Sequence, residues 1–180
     1  MSLRVSIGEA LQSELERVVV KHLPQILGNT KMVGAITVPD WEKHVSEEAL
    51  VSTSKGDRAV SVGDNLVSFE GLGIGRKMSH IIQEAFPDKS VMPSGFFHYP
   101  PTGFMGWHTN SDVPCQRLYI TWAKEAGKSF FRYVDDGDIV TDYDDAGITL
   151  RMFDITDKPP YLWHAVGSET DRISIGYRLR

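Results

Sequence analysis

Apolar residues in the first half of the chain recur at helical spacing, whereas those in the second half alternate. From about Ser6 to Leu27, the residues Leu11, Leu15, Val18, Val19, His22 and Leu23 fall on one face, which predicts an amphipathic helix with Pro24 near its end. Lys31 to Val38 reads as a strand, Trp41 to Leu50 as a short helix, Ser52 to Val62 as a polar loop and Asn65 to Phe69 as a short strand. A second helix is predicted from about Arg76 to Phe86, with Met78, Ile81, Ile82 and Ala85 as its buried stripe. After Val91 the pattern has a period of two, in segments near 94–100, 104–108, 116–123, 129–134, 138–142, 148–155, 161–166 and 172–179. Turn residues separate them, among them Pro100-Pro101-Thr102-Gly103, Asp135-Asp136-Gly137 and Asp145-Ala146-Gly147.

Helices followed by a run of short strands give an α+β order that is mainly β. Eight antiparallel strands around one pocket suggest a jelly roll, the double-stranded β-helix that cupins also use, with the N-terminal helices packed on one sheet. The 180 residues fit a single domain, with a helical part over about 1–90 and a jelly-roll core over about 91–180.

Composition narrows the class. With 41% hydrophobic and 24% charged residues the chain reads as an ordinary globular protein. A net charge of −5 argues against a nucleic-acid partner, although a local basic groove would escape a whole-chain sum. Cys115 is the single cysteine, so neither an internal disulfide framework nor a zinc-thiolate cluster is available. No apolar run reaches the length of a membrane span, and Met1-Ser2-Leu3-Arg4 has no signal-peptide pattern, so a cytoplasmic location is expected.

The candidate chemistry lies in two tryptophan–histidine pairs at strand ends, Trp107-His108 and Trp163-His164. If each His points into the barrel, each Trp points out against the helices, because neighbouring strand residues face opposite ways. Two imidazoles with a nearby carboxylate form the ligand set of a non-haem iron oxygenase. Asp112 is favoured as the carboxylate, with Asn110, directly or through water, as its rival; a site poor in metal is the third outcome. On the last strand Arg172, Ser174, Gly176 and Arg178 share one face, and Arg172 is a fixed cation suited to a dicarboxylate. Arg117, Tyr119 and Thr121 alternate on another strand, with Tyr119 the best placed to touch a cosubstrate.

Two other segments attract weaker readings. Gly71-x-Gly73-x-Gly75 lacks the third glycine of a dinucleotide fingerprint, since Arg76 stands there, and suits a flexible loop or substrate lid. The aspartates between Asp135 and Asp145 lack the EF-hand order and suit a solvated hairpin.

From Phe97 onward, Tyr99, His108, the nearby carboxylate, His164 and Arg172 together resemble the Fe(II)/2-oxoglutarate-dependent oxygenases. Tyr99, Pro100, Gly103 and His108, with the Arg172/Arg178 pair, resemble AlkB-type members. Gly127-Lys128-Ser129-Phe130-Phe131 resembles a stretch of the prolyl-hydroxylase-like members, so the branch stays open. The resemblance implies Fe(II) on His108, Asp112 and His164. It also implies 2-oxoglutarate held by Arg172, Ser174 and Tyr99, with Arg178 bracing it, and a hydroxylase that releases succinate and CO2. The family places an acidic residue two after the first His, where this chain has Asn110. A cupin-like metalloprotein, or a β-barrel binding module without catalysis, therefore stays open beside the oxygenase. The substrate, a small molecule or a peptide, and the oligomeric state have no signature.

Overall fold

Strand alternation in the second half of the chain produces two facing sheets. A computed structural model describes residues 2–28, 37–55, 64–69 and 73–180. Among them are ten strands: β1 (Asp64–Asn65), β2 (Val67–Ser68), β3 (Val91–Tyr99), β4 (Gly103–His108), β5 (Cys115–Ala123), β6 (Ser129–Asp135), β7 (Asp138–Tyr143), β8 (Gly147–Ile155), β9 (His164–Ser168) and β10 (Arg172–Leu179). One sheet has the order β1-β4-β9-β6-β7 and the other β2-β3-β10-β5-β8, with every pairing antiparallel. This is the expected jelly roll, mainly β. The expected strand over Asn65–Phe69 splits: β1 joins one sheet and β2 the other, so the edge strands of both come from before the core. The strand expected from Tyr161 begins only at His164.

β10 shows how the alternation is used. Ile173, Ile175, Tyr177 and Leu179 face outward into the larger apolar core, whereas Ser174, Gly176 and Arg178 face the space between the sheets. That outer core is capped by α1 (Glu9–Leu27) and α3 (Ile74–Ala85), which contribute Leu15, Val19, Ile26, Met78, Ile81 and Ile82. Gly75 lies inside α3 rather than in a loop. A Cβ there would stand 2.4 Å from the Phe96 ring, so glycine permits the close approach of helix to sheet. The Tyr177 hydroxyl donates to the Gly75 carbonyl at 3.0 Å and fixes the contact. The expected strand from Lys31, the loop from Ser52 and the start of the Gly71 stretch lie largely outside the described residues.

Helices occupy the second sheet as well. A 3-10 helix (Trp41–Val45) and α2 (Glu47–Thr53) cover β4 and β9, and Trp41, Val45, Phe104, Trp107, Phe130 and Ala165 form a separate core there. Trp107 thus acts as the expected wedge, with its Nε1–H donating to the Ser46 carbonyl at 2.8 Å. Trp107→Phe should keep most of the packing but lose that bond. Since the Ser46 carbonyl also accepts from the Leu50 amide, it is not orphaned. The expected cost is about 1–2 kcal/mol, measurable by urea denaturation.

The aspartate-rich hairpin departs from expectation. Asp144 is 1% exposed, and its carboxylate takes Arg172 Nε at 2.9 Å, Arg151 Nη1 and the Ser129 hydroxyl. Arg151 also reaches Asp142, and Arg4 from the N-terminal segment adds a bond to Asp142 at 2.9 Å. A segment read as solvated instead supplies the buried anion of a charge network.

Candidate active site

The site begins with an irregularity in β4. Met105 pairs with Val166 and His108 with His164, so β4 has three steps where β9 has two. This extra residue is a β-bulge. Without it, strict alternation would turn His108 outward whenever Met105 faces in. With it, Met105 and His108 both line the interior while Trp107 remains outside. His108 and His164 are then direct cross-strand neighbours, with ring centroids 4.1 Å apart.

Both rings are held in the same way. His108 Nδ1 lies 2.9 Å from the Gly106 carbonyl and His164 Nδ1 3.0 Å from the Leu162 carbonyl, in each case two residues back. An imidazole bonded so keeps its proton on Nδ1 and leaves the Nε2 lone pair for a ligand. Burial keeps both rings neutral, lowering His108 to about 4 and His164 well below the usual range. Phe131 stacks on His164 with centroids 5.2 Å apart and closes the inner side.

Asn110, not Asp112, faces this pair. Its Nδ2 lies 3.1 Å from His164 Nε2 and 3.3 Å from the Tyr119 hydroxyl. Its backbone is left-handed, with φ 54°, and opens a turn closed by the Val113 amide on the Asn110 carbonyl. Asparagine is among the residues that accept this conformation most readily. The turn leaves Asp112 exposed at the rim of the cavity, with no bond to either imidazole among the described residues. The expectation that Asp112 is the side chain beside the two imidazoles is therefore corrected: the turn carries Asn110 inward to His164 and leaves Asp112 exposed at the rim.

The arginines are also redistributed. Arg172 is buried and not on the cavity wall; Asp144, Thr121 at 3.1 Å and the Tyr99 ring face 5.0 Å away engage it, while its Nη1 has no hydrogen-bond partner among the described residues. The expectation that it meets a diacid gives way to an ion pair because Asp144 comes to it from β7–β8. Arg178 and Arg117 line the cavity instead. They are register partners across β10 and β5, and the buried Nε of each has no hydrogen-bond partner among the described residues. Tyr99, Tyr119 and Ser174 lie on the same wall as expected, and burial raises both tyrosine hydroxyls above their ordinary pKa. The cavity encloses about 250 Å³. Gly176 keeps it open, since a Cβ there would stand 3.0 Å from Ser94 Oγ and 3.2 Å from Tyr119.

Two neutral Nε2 donors side by side suit a divalent transition metal. The third donor in reach is an amide, whose oxygen comes forward when the group turns about Cβ–Cγ. Among the described residues no three His, Cys, Asp or Glu side chains converge on one point. The groups that could meet iron are thus two imidazoles and a neutral amide, and those that could meet a dicarboxylate are the Arg117 and Arg178 guanidiniums, whose Nε atoms have no partner among the described residues.

The whole chain aligns with a solved prolyl-4-hydroxylase from Pseudomonas putida at a TM-score of 0.50 and 14% identity, covering 100% of this chain and 91% of that one. The chain shares that enzyme's fold. A 2OG-Fe(II) oxygenase-family oxidoreductase from Burkholderia pseudomallei aligns at 0.46 and 9% identity, over 99% and 94% of the two chains. A Trichoplax adhaerens prolyl hydroxylase, solved with a peptide fragment of the hypoxia inducible factor oxygen degradation domain, aligns at 0.46 and 14% identity, over 96% and 93%. No family model and no curated protein matches the sequence. Among the described residues no helix is long and apolar enough to cross a membrane.

Proposed function

We propose that this protein is a non-haem Fe(II)- and 2-oxoglutarate-dependent oxygenase, most simply a hydroxylase. The observation that carries the proposal is one cavity holding a neutral cross-strand histidine pair and two arginines, cross-strand register partners, whose buried Nε atoms have no partner among the described residues. His108 and His164 would hold the metal through Nε2, with Gly106 and Leu162 fixing the ring orientation. Asn110 stands beside them as a neutral donor. Arg117 and Arg178 would neutralise the diacid, and Tyr119 and Ser174 offer it hydroxyls on the same wall. When bound, the iron supplies oxygen activation coupled to decarboxylation of 2-oxoglutarate to succinate, and so hydroxylation of a substrate C–H bond. Met105, Val166 and Phe97 on the lining keep water from that centre. A small molecule or a peptide side chain is the substrate class proposed.

Anaerobic addition of Fe(II) and then 2-oxoglutarate should produce a weak visible charge-transfer band. Admission of oxygen should release succinate even without the prime substrate. His164→Ala should lose both, and a wild-type protein that shows neither would remove the proposal.

Asn110 favours a second reading: a cupin-like or purely binding module that holds a diacid without turnover. In that case 2-oxoglutarate binds, as calorimetry would show, and no succinate forms with any divalent metal.

A further inference from the structure

Among the described residues, a groove separate from the inter-sheet cavity lies between α1 and α3. It holds about 290 Å³ and is lined by Arg17, Val18, Lys21, His22 and Lys77. Four of these side chains carry basic nitrogen and none is a carboxylate, in a chain with 24 acidic residues against 19 lysines and arginines. Helix spacing builds the α1 side, where Arg17 and Lys21 are one turn apart. Lys77 comes from the first turn of α3. Local counter-charge is scarce. Arg17 reaches Glu14 at 3.4 Å, but both side chains are open to water, so the pair is weak. Neither Lys21 nor Lys77 pairs with a carboxylate among the described residues.

His22 differs from these three exposed cations, being only 8% exposed. Its Nδ1 lies 2.7 Å from the Val18 carbonyl, one turn back, which places the ring proton on Nδ1. Nε2 makes no hydrogen bond among the described residues, and in the neutral ring so oriented it is a bare acceptor. A ligand that satisfies the whole lining therefore needs negative oxygens for the cations and one hydroxyl for the imidazole. Hydrogen phosphate has both. Sulfate, a tetrahedral dianion too, has no hydroxyl at neutral pH and would set a lone pair against Nε2. A fully ionised phosphate ester lacks the hydroxyl as well.

We propose that the groove between α1 and α3 is a binding site for hydrogen phosphate, with Arg17, Lys21 and Lys77 meeting its charged oxygens and His22 Nε2 accepting a hydrogen bond from its hydroxyl. An ion held there ties α1 to α3, so binding also raises the melting temperature of the whole chain.

The test is calorimetry and thermal unfolding of the full chain at about pH 8, above the ordinary histidine range, at constant ionic strength set with chloride. Inorganic phosphate should bind saturably and about tenfold more tightly than sulfate, the scale of one hydrogen bond. The double variant Lys21→Gln/Lys77→Gln should weaken phosphate at least tenfold, and Lys21→Arg/Lys77→Arg should restore it. Both lysines are exposed, so these variants keep the fold. His22→Phe should retain anion binding and lose the preference for phosphate over sulfate. Equal affinity for phosphate and sulfate, or a double Gln variant that binds phosphate like the wild type, would overturn the inference. So would tighter binding of phosphoserine or of a single-stranded oligonucleotide than of free phosphate, since the groove would then serve a phosphorylated or nucleic-acid partner. None of these outcomes touches the oxygenase proposal, because Lys21, His22 and Lys77 lie outside its cavity.

Discussion

Asp144→Asn is expected to destabilise the fold by about 2–5 kcal/mol, read from urea denaturation of the purified protein. The reason lies in what surrounds the carboxylate. Arg172 and Arg151 are 1% and 0% exposed, and Asp144 lies between them with no exposure of its side chain to water. Burial alone would push its carboxyl pKa up. The two guanidiniums and the Ser129 hydroxyl more than reverse that and hold it at about 2, against an ordinary 3.8. A depressed carboxyl contributes stability that is present in full above pH ~4 and is lost as the pH falls toward 2. Its size is about 2 kcal/mol at 1.36 kcal/mol per unit, the lower end of the range. The upper end arises because the asparagine leaves Arg172 without any carboxylate, whereas Arg151 retains Asp142. Wild-type protein should therefore lose stability steeply between pH 4 and 2, and Asp144→Asn should show a flatter limb there. An unchanged acid limb in the variant would mean that the network is not under load.

Arg178→Gln should weaken 2-oxoglutarate binding roughly a hundredfold, the scale of removing one partner from a largely desolvated charge pair. The same change should not lower the melting temperature of the ligand-free protein. Arg178 is the register partner of Arg117 across β10 and β5, so their charges lie on neighbouring strands, and its buried Nε has no partner among the described residues, so truncating it removes no bond from that atom that holds the fold. Loss of affinity without loss of stability marks a residue kept for a ligand. Arg172→Gln should show the opposite pattern, falling in stability because Asp144 is left short of one cation. If Arg172→Gln costs affinity and Arg178→Gln does not, the diacid belongs to Arg172, as the chain order first suggested.

Much of the architecture is legible in the sequence, because period-2 alternation is a local property. The alternation over 172–179 assigned Ile173 and Tyr177 to one face and Ser174 and Arg178 to the other, and the structure keeps that division. Turn residues bounded the strands for the same reason. The histidine pair was also legible, since each His follows a Trp whose bulk belongs on the outer face.

What stayed hidden needed partners distant in the chain. A bulge is a miscount between two strands, so β4 alone cannot reveal it, yet it is what turns His108 inward. Asn110 and Asp112 are rivals for the place beside the imidazoles on sequence grounds, and only the left-handed turn puts Asn110 there. Arg172 and Arg178 are chemically alike and share a face; what separates them is Asp144, some thirty residues away, which pairs with Arg172, while Arg178 lines the cavity. Local pattern therefore determined the strands, the faces and the two imidazoles. Tertiary structure alone decided whether Asn110 or Asp112 lies beside those imidazoles and which arginines line the cavity, because charge pairing and register depend on distances that no single segment contains.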